Sequence, residues 1–389
     1  MDNLKSLDSS ALDSFEGHVR GLSSEGLGVV EHPSGRVFFV RGTWPGDHGV
    51  FKPTRFEKRY GYAELVELST PSLDRVTPAC EHQGVKSGSC GGCPWMIGTY
   101  ESQLKYKQHR VMHALERAKM LNEGVLRPIM DSSPLGYRNR AQFKTDGVRF
   151  GFVSDESHNI AEIKDCIVMT DSMRARLKAA KASMPRDDWK PSNGFQWCFV
   201  EVDDLMEESE APWLNKRRPF IQGNSTQNLK MRTWLGNHLK GEDREAPVLE
   251  LFCGSGNFTQ VASSLGFTTI HAYEMSRDSI AELNEKNLPG VQAHVLDLGH
   301  TTAMRAVARE AAETKVLILD PPRTGLKGID VLAKELKKLH RILYVSCDTA
   351  TFVRDAAALV AQGFELTEVQ PLDLFPQTSH VETLAEFTR

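Results

Sequence analysis

Apolar and polar positions change rhythm twice along the chain. Between residues 16 and 68, the runs GHVRGL, GLGVVEH, GRVFFVRG and HGVFKPTRF are short, rich in β-branched and aromatic residues, and broken by Ser-Gly and Pro-Gly turns. Strands at that spacing predict a small β-barrel. A stretch rich in Pro, Ser and Gly follows over 70–94. Residues 100–121 then carry Leu104, Val111 and Leu115 at helical spacing. From 131 to about 220 the pattern is mixed, with turns at Pro134 and Asn193-Gly194. The last third alternates apolar runs (VLELF, TTIHAYE, AHVLDL, KVLILD, RILYVSC) with helical stretches such as SIAELNEKN and TATFVRDAAALVAQG. That alternation predicts a parallel sheet with helices on both faces. ELTEVQPLDLF and VETLAEFTR depart from it, and predict a terminal hairpin.

The 389 residues are enough for two or three domains. Lys and Arg number 47 against 51 Asp and Glu, a net charge of −4, which excludes a basic nucleic-acid coat. Local charge differs: residues 101–150 hold ten Lys and Arg against five acids, a region suited to phosphate contacts. No run of 18 apolar residues exists, so no membrane span is expected. The opening MDNLKSLDSSALDSFEGHVR lacks the order of a signal peptide, so a cytoplasmic address is the expectation. In that reducing setting, the seven cysteines point to metal binding or catalysis rather than disulfides.

Candidate chemistry collects at predicted strand ends. VLELF runs into Cys253-Gly254-Ser255-Gly256-Asn257, where glycines let backbone approach a ligand. Thr259 occupies the place of the third glycine of a dinucleotide fingerprint. Glu274 at the next strand end is placed for ribose hydroxyls, and Asp297, ending a further run, for the adenine side. Together with the terminal hairpin, these favour S-adenosylmethionine over a nicotinamide cofactor. Asp320-Pro321-Pro322-Arg323 makes a rigid polar corner, and Arg323 in place of an aromatic counts against a stacked exocyclic amine. Cys347 ends the next strand; His380 and Glu382 lie on or beside the last one, where an acid can act as a base. Cys253 and Cys198 read as packing residues. Phe38, Phe39 and Trp44 read as barrel core, and Tyr137 as a base-stacking candidate. Cys80, Cys90, Cys93 and Cys166 give C-x9-C-x2-C and a distant fourth thiol, which by spacing suits a 4Fe–4S cluster or zinc.

The pieces PFIQGNSTQN, LELFCGSGNF, LDPPRTG, YVSCDTATFVRD and LDLFPQTSHVET, in that order, resemble the RNA 5-methyluridine methyltransferases. The front of the chain resembles that family's TRAM RNA-binding barrel and iron–sulfur segment. The resemblance implies a Rossmann-like methyltransferase domain at 99–124 and 221–389. It adds a TRAM/OB-like barrel at 12–70 and a central α+β iron–sulfur domain at 71–98 and 125–220. It further implies S-adenosylmethionine contacts from Gln222, Phe252, Asn257, Glu274, Asp297 and Asp320, with Cys347 as nucleophile and Glu382 as base. It favours a 4Fe–4S cluster over zinc on the four cysteines, and an enzyme of class EC 2.1.1 acting as a monomer on 23S rRNA. Two alternatives stand beside it: a tRNA uridine-C5 methyltransferase, and a non-catalytic iron–sulfur RNA-binding protein.

Overall fold

The computed structural model describes residues 13–389 other than 155, 156, 158, 193, 208, 209 and 219. The amino-terminal residues that bear on a leader, the first residue of the expected barrel domain, and Asn193 of the expected Asn-Gly turn lie outside the described residues. The described chain divides into two compact units. One comprises residues up to 106, 134–216 and 376–379; the other comprises 107–133, 217–375 and 380–389.

The first unit opens with β1 (Phe15–Leu22), β2 (Gly28–Glu31), β3 (Val37–Val40), β4 (His48–Phe56) and β5 (Tyr60–Thr70). They close into a barrel in the order β1-β2-β3-β5-β4. Alternation along each strand decides which residues fill it: Val19, Val30, Phe38, Val40, Phe51 and Ala63 point inward. Phe38 and Trp44 are buried as expected, but Phe39 faces outward, because its neighbours Phe38 and Val40 take the inward positions.

Helix α1 (Tyr100–Arg117) stops short of the expected residue 121. Lys119 adopts a left-handed φ of 57°, and the Met120 N–H returns to the Leu115 carbonyl at 2.9 Å, a cap that satisfies helix-end carbonyls. Apolar spacing continues past this cap, which is why the sequence reads longer.

The same unit also holds β6 (Arg140–Thr145), β7 (Phe150–Val153), β8 (Ile160–Glu162), α2 (Asp171–Ala182), β9 (Cys198–Asp203) and β10 (Trp213–Leu214). They form a five-stranded sheet in the order β10-β9-β6-β7-β8. Phe143, Phe150, Met173, Leu177, Trp189 and Val200 form its core with α2. β7, β8 and β10, of two to four residues, carry too little alternation to be read from sequence, and this explains part of the mixed pattern after 131.

The second unit begins in α1 at Lys107. It continues through α3 (Ser225–Leu239), β11 (Val248–Leu251), α4 (Thr259–Ser264), β12 (Ile270–Glu274), α5 (Arg277–Glu285), β13 (Val291–Val295), α6 (Thr301–Glu310) and β14 (Val316–Leu319). It ends with α7 (Ile329–Glu335), β15 (Arg341–Ser346), α8 (Thr349–Ala361), β16 (Glu365–Leu372) and β17 (Glu382–Thr388). The sheet order is β13-β12-β11-β14-β15-β17-β16, parallel through β15 and antiparallel at the last two strands. Alternate residues of one strand enter opposite cores. Leu317 and Leu319 join Tyr344 and Phe352 on one face; Val316 and Ile318 join Leu235 and Leu343 on the other. Both faces are therefore covered, as the alternation of strands and helices predicts. Among the described residues, no helix is long and apolar enough to cross a membrane.

Truncating Leu317 tests this layering, since it is fully buried on a central strand. Leu317→Ala is expected to cost about 2–5 kcal/mol, read as an earlier urea transition in the full chain.

Candidate functional site

Strand β11 ends at Leu251, and the backbone turns sharply there. Phe252 takes a left-handed φ of 62°, Gly254 one of 53° and Gly256 one of 91°. At Gly256 a side chain is also excluded by space, because a Cβ would lie 2.4 Å from Leu283 Cδ1. Glu274, at the end of β12, clasps this loop: Oε2 accepts the Gly254 N–H at 3.2 Å and Oε1 the Ser276 N–H at 2.9 Å. Each carboxylate oxygen retains acceptor capacity for a ligand hydroxyl. Phe252 and Gln222 are partly buried. The Asn257 amide is engaged with α3, donating to Asn228 Oδ1 at 2.8 Å and accepting from Asn228 Nδ2 at 3.1 Å. Asp297 is exposed and lies beyond the strand rather than at its end, since β13 stops at Val295; its Oδ1 accepts the Gly299 N–H at 2.8 Å.

Carboxyl groups crowd this strand edge. Burial, followed by the charge of Glu274, lifts Asp320 to about 7, although the residue keeps some exposed surface. Glu250, inside β11, is lifted to about 8 by burial, with a further push from Asp320. The Thr259 hydroxyl donates to Glu250 Oε2 at 2.6 Å and opposes that rise. Sequence reading passed over Glu250, whose signal is a lone acid in the apolar strand VLEL.

Register determines the next juxtaposition. In the β15–β17 ladder, Ser346 pairs with Thr383, so the next positions outward are Cys347 and Glu382. Glu382 also pairs with Leu372 of β16, and only 6% of its surface is exposed. It is therefore not the solvated acid that a strand-end position ordinarily gives. Burial raises its carboxyl well above the usual range; Asp320 adds to this and Arg323 opposes it. The Cys347 thiol is pushed up to about 11 by burial, then by Glu382 and Asp320, again against Arg323.

The Arg323 loop is braced by α8. Thr351 Oγ1 donates to the Arg323 carbonyl at 3.0 Å, and Arg354 Nη2 to the Thr324 carbonyl at 2.9 Å. Buried Asp355 accepts from the Leu326 N–H at 2.8 Å and the Tyr344 hydroxyl at 2.7 Å. His380 is exposed by area, yet partial burial lowers its pKa, helped by the charges of Arg323, Lys107 and Arg110. Arg110 itself feels Asp348, the residue after Cys347. A thiol, an acid and several cations thus surround the ends of β14, β15 and β17.

The basic stretch 101–150 contributes less free charge than its composition suggests. Lys107 is fully buried against Asp373 at 2.5 Å, Arg140 pairs with Glu201, and Arg127 reaches Glu368 at 3.0 Å. Tyr137 is not an exposed stacking surface. It is buried, and its hydroxyl donates to the Pro376 carbonyl at 3.0 Å.

In the first unit, Cys80, Cys90, Cys93 and Cys166 line one pocket with Met96 and Phe152. Burial pushes Cys93 up to about 12 and Cys166 to about 11, and neighbouring thiols add to both. Among the described residues, no three His, Cys, Asp or Glu side chains converge closely enough to close around a single ion.

Residues 204–387 match the family described as tRNA (uracil-5-)-methyltransferase. An uncharacterized RNA methyltransferase of Nitrosomonas europaea is 42% identical over 96% of both chains. The chain belongs to the RNA uracil-C5 methyltransferase family. A second uncharacterized RNA methyltransferase, from Thermotoga maritima, is 28% identical, over 94% of this chain and 97% of that one. The fold is shared with the Pyrococcus abyssi tRNA (uracil-54, C5)-methyltransferase, solved with S-adenosyl-L-homocysteine. That likeness has a TM-score of 0.72 at 20% identity and covers 96% of this chain and 100% of that one. Membership of this family makes the protein an RNA methyltransferase with a Rossmann-like catalytic fold.

The buried carboxyls give a pH signature. Glu250 holds its proton to about 8 in the folded state, whereas an unfolded glutamate releases it near 4.5. Between those values the folded state binds more protons, so stability falls as pH rises. We expect stability to drop by about 3–5 kcal/mol from pH 5 to pH 8, and Glu250→Gln to flatten that dependence. Urea denaturation across the range checks both.

Proposed function

We propose that this enzyme transfers a methyl group from S-adenosylmethionine to carbon 5 of a uridine in structured RNA, with 23S rRNA as the substrate. The observation that carries the chemistry is the β15–β17 register, which sets Cys347 beside Glu382. Carbon 5 of uracil is a poor nucleophile. Addition of the Cys347 thiolate at carbon 6 makes an enolate, whose carbon 5 forms a bond to the sulfonium methyl as S-adenosylhomocysteine leaves. Glu382 then takes the carbon 5 proton, the carbon–sulfur bond breaks, and the thiolate is regenerated. A thiol raised to about 11 is protonated at neutral pH, so thiolate formation needs favourable charge. Arg323 supplies it, and its backbone is braced for that task.

The cofactor side rests on Gln222, Phe252, Asn257, Glu274, Asp297 and Asp320. S-adenosylmethionine carries sulfonium and ammonium charges, which suit an edge crowded by Glu250, Glu274 and Asp320. Asp297 and Glu274 are placed for the nucleoside, and the Asn257 amide holds the loop through Asn228.

Cys80, Cys90, Cys93 and Cys166 are assigned to a 4Fe–4S cluster. Their burial fits a group that stabilises thiolates, and one pocket brings all four together. Zinc, with bonds of about 2.3 Å, would require sulfurs drawn tightly around one ion, whereas a larger cluster spreads its ligands. When bound, the cluster ties the 71–98 and 125–220 segments together; methyl transfer requires no electron from it.

The barrel and the cysteines support ribosomal RNA as substrate. The second reading, tRNA, is favoured by the Pyrococcus enzyme, whose whole chain matches this fold while acting on tRNA. Mass spectrometry of rRNA and tRNA from a deletion strain separates the two by which RNA loses a 5-methyluridine.

Glu382→Gln should transfer the methyl group but retain the RNA as a denaturant-resistant band that requires both S-adenosylmethionine and Cys347. Rapid turnover without such a band would remove Glu382 as the base. Anaerobically purified protein should be brown, with broad iron–thiolate absorbance, and Cys93→Ser should lose the colour and solubility together. Colourless protein with stoichiometric zinc would overturn the cluster.

A further inference from the structure

Asp355 of α8 is a carboxylate with only 2% of its surface exposed, so protein groups rather than water must satisfy it. Its Oδ1 takes the Arg354 guanidinium, through Nε at 2.8 Å and Nη2 at 2.6 Å. Its Oδ2 accepts two donors of different origin, the Leu326 N–H at 2.8 Å and the Tyr344 hydroxyl at 2.7 Å. Leu326 lies three residues after Arg323, on the loop that leaves β14. Tyr344 lies three residues before Cys347, on β15. One oxygen is thus shared by the loop that carries the cation and the strand that carries the thiol. Packing alone does not ask for this. A phenylalanine would fill the fully buried Tyr344 position against Phe352 equally well, and would need no acid beneath it.

The loop rests on one face of α8, at positions i, i+3 and i+4. Thr351 donates to the Arg323 carbonyl, Arg354 to the Thr324 carbonyl, and Asp355 accepts the Leu326 N–H. Between these anchors Gly325 takes a left-handed φ of 67°, and a Cβ there would overlap both Asp355 Oδ2 and Arg354 Nη2. The loop therefore lies directly on the ion pair. Asp348 caps the start of the same helix, so α8 also fixes the residue that follows Cys347. Burial, and then the Asp355 charge, raise the Tyr344 hydroxyl above its ordinary value, so it remains a donor.

We infer that Asp355 is a positioning residue for the nucleophile: by gripping Leu326 and Tyr344 with one oxygen, it sets the distance between the Arg323 guanidinium and the Cys347 sulfur. It acts through Arg323 rather than on the reacting atoms, and it rests on the reading of Cys347 as nucleophile. Asp320 from the end of β14 and Glu382 from β17 oppose ionisation of the thiol, and Arg323 favours it. Just beyond them, Arg110 of α1 feels Asp348, and His380 feels Arg323. Against two carboxyls, a displaced Arg323 leaves the thiolate without its supporting charge.

The test treats the full chain with iodoacetamide at pH 8, without cofactor or RNA, and follows the Cys347 peptide by mass spectrometry. Only the thiolate reacts, so the rate reads its population. Asp355→Asn should slow alkylation, although the lost negative charge would by itself speed it. Tyr344→Phe removes one donor without altering charge, keeps the ring, and folds even where Asp355→Asn does not. It should slow alkylation of Cys347 by roughly 3- to 10-fold. Arg323→Gln should slow it too, and adding Tyr344→Phe to Arg323→Gln should change little, because both act through one contact. A loosened chain exposes the thiol and reacts faster, so a merely structural defect moves the rate the other way. Unchanged or faster alkylation in Tyr344→Phe, or full additivity with Arg323→Gln, would overturn the assignment. Coupling found in a protein that methylates no RNA would sink the methylation reading alone. Coupling absent while Glu382→Gln still traps RNA would sink the positioning role alone.

Discussion

Everything proposed for catalysis depends on where one antiparallel strand sits in an otherwise parallel sheet. β17 enters between β15 and β16, and its pairing with β15 runs from Arg341–Thr388 to Ser346–Thr383. A slip of one residue would turn the core-facing positions of β17 toward the opposite face and carry Glu382 away from Cys347. The buried side chains Leu384, Ala385 and Phe387 hold that register, because they fill cores on both sides of the sheet. The position of the acid beside the thiol is thus a by-product of hydrophobic packing some distance from the chemistry.

Burial at this edge has an electrostatic cost that the fold arranges rather than avoids. Asp320, Glu382 and Cys347 share low-dielectric space, and each is raised toward its neutral form. Arg323 counters the last two, from a loop anchored to α8 through Thr351 and Arg354. A resting site of protonated acids and thiol is chemically quiet. A cationic cofactor would shift that balance toward the anions that methyl transfer needs.

Much of this was legible in the sequence, for physical reasons that also mark where legibility ended. Strands buried on both faces advertise themselves as continuous apolar runs, so β11, β14 and β15 were readable, and with them the loops at their ends. The hairpin of β16 and β17 was visible because two strand-like runs follow each other there with no helical stretch between them. The register between them was not, since pairing depends on which faces the cores demand, and the burial of Glu382 follows from that pairing. Charge counting misled at 101–150, where Lys107 and Arg140 serve internal carboxylates. Aromatic identity misled at Phe39 and Tyr137, because a ring's face is chosen by strand alternation and local packing. The five-stranded sheet escaped, three of its strands (β7, β8 and β10) being too short to show a period.

The central claim is that the Cys347 sulfur bonds to carbon 6 of the uracil before the carbon 5 proton leaves. A substrate RNA carrying 5-fluorouridine at the target tests this in the wild-type enzyme, since fluorine cannot depart as a cation after methyl transfer. Digestion and mass spectrometry should find a peptide containing Cys347 bearing a methylated fluorouridine nucleotide, formed only when S-adenosylmethionine is present. A fluorouridine RNA released unbound, or an adduct mapped to a different residue, would contradict the account.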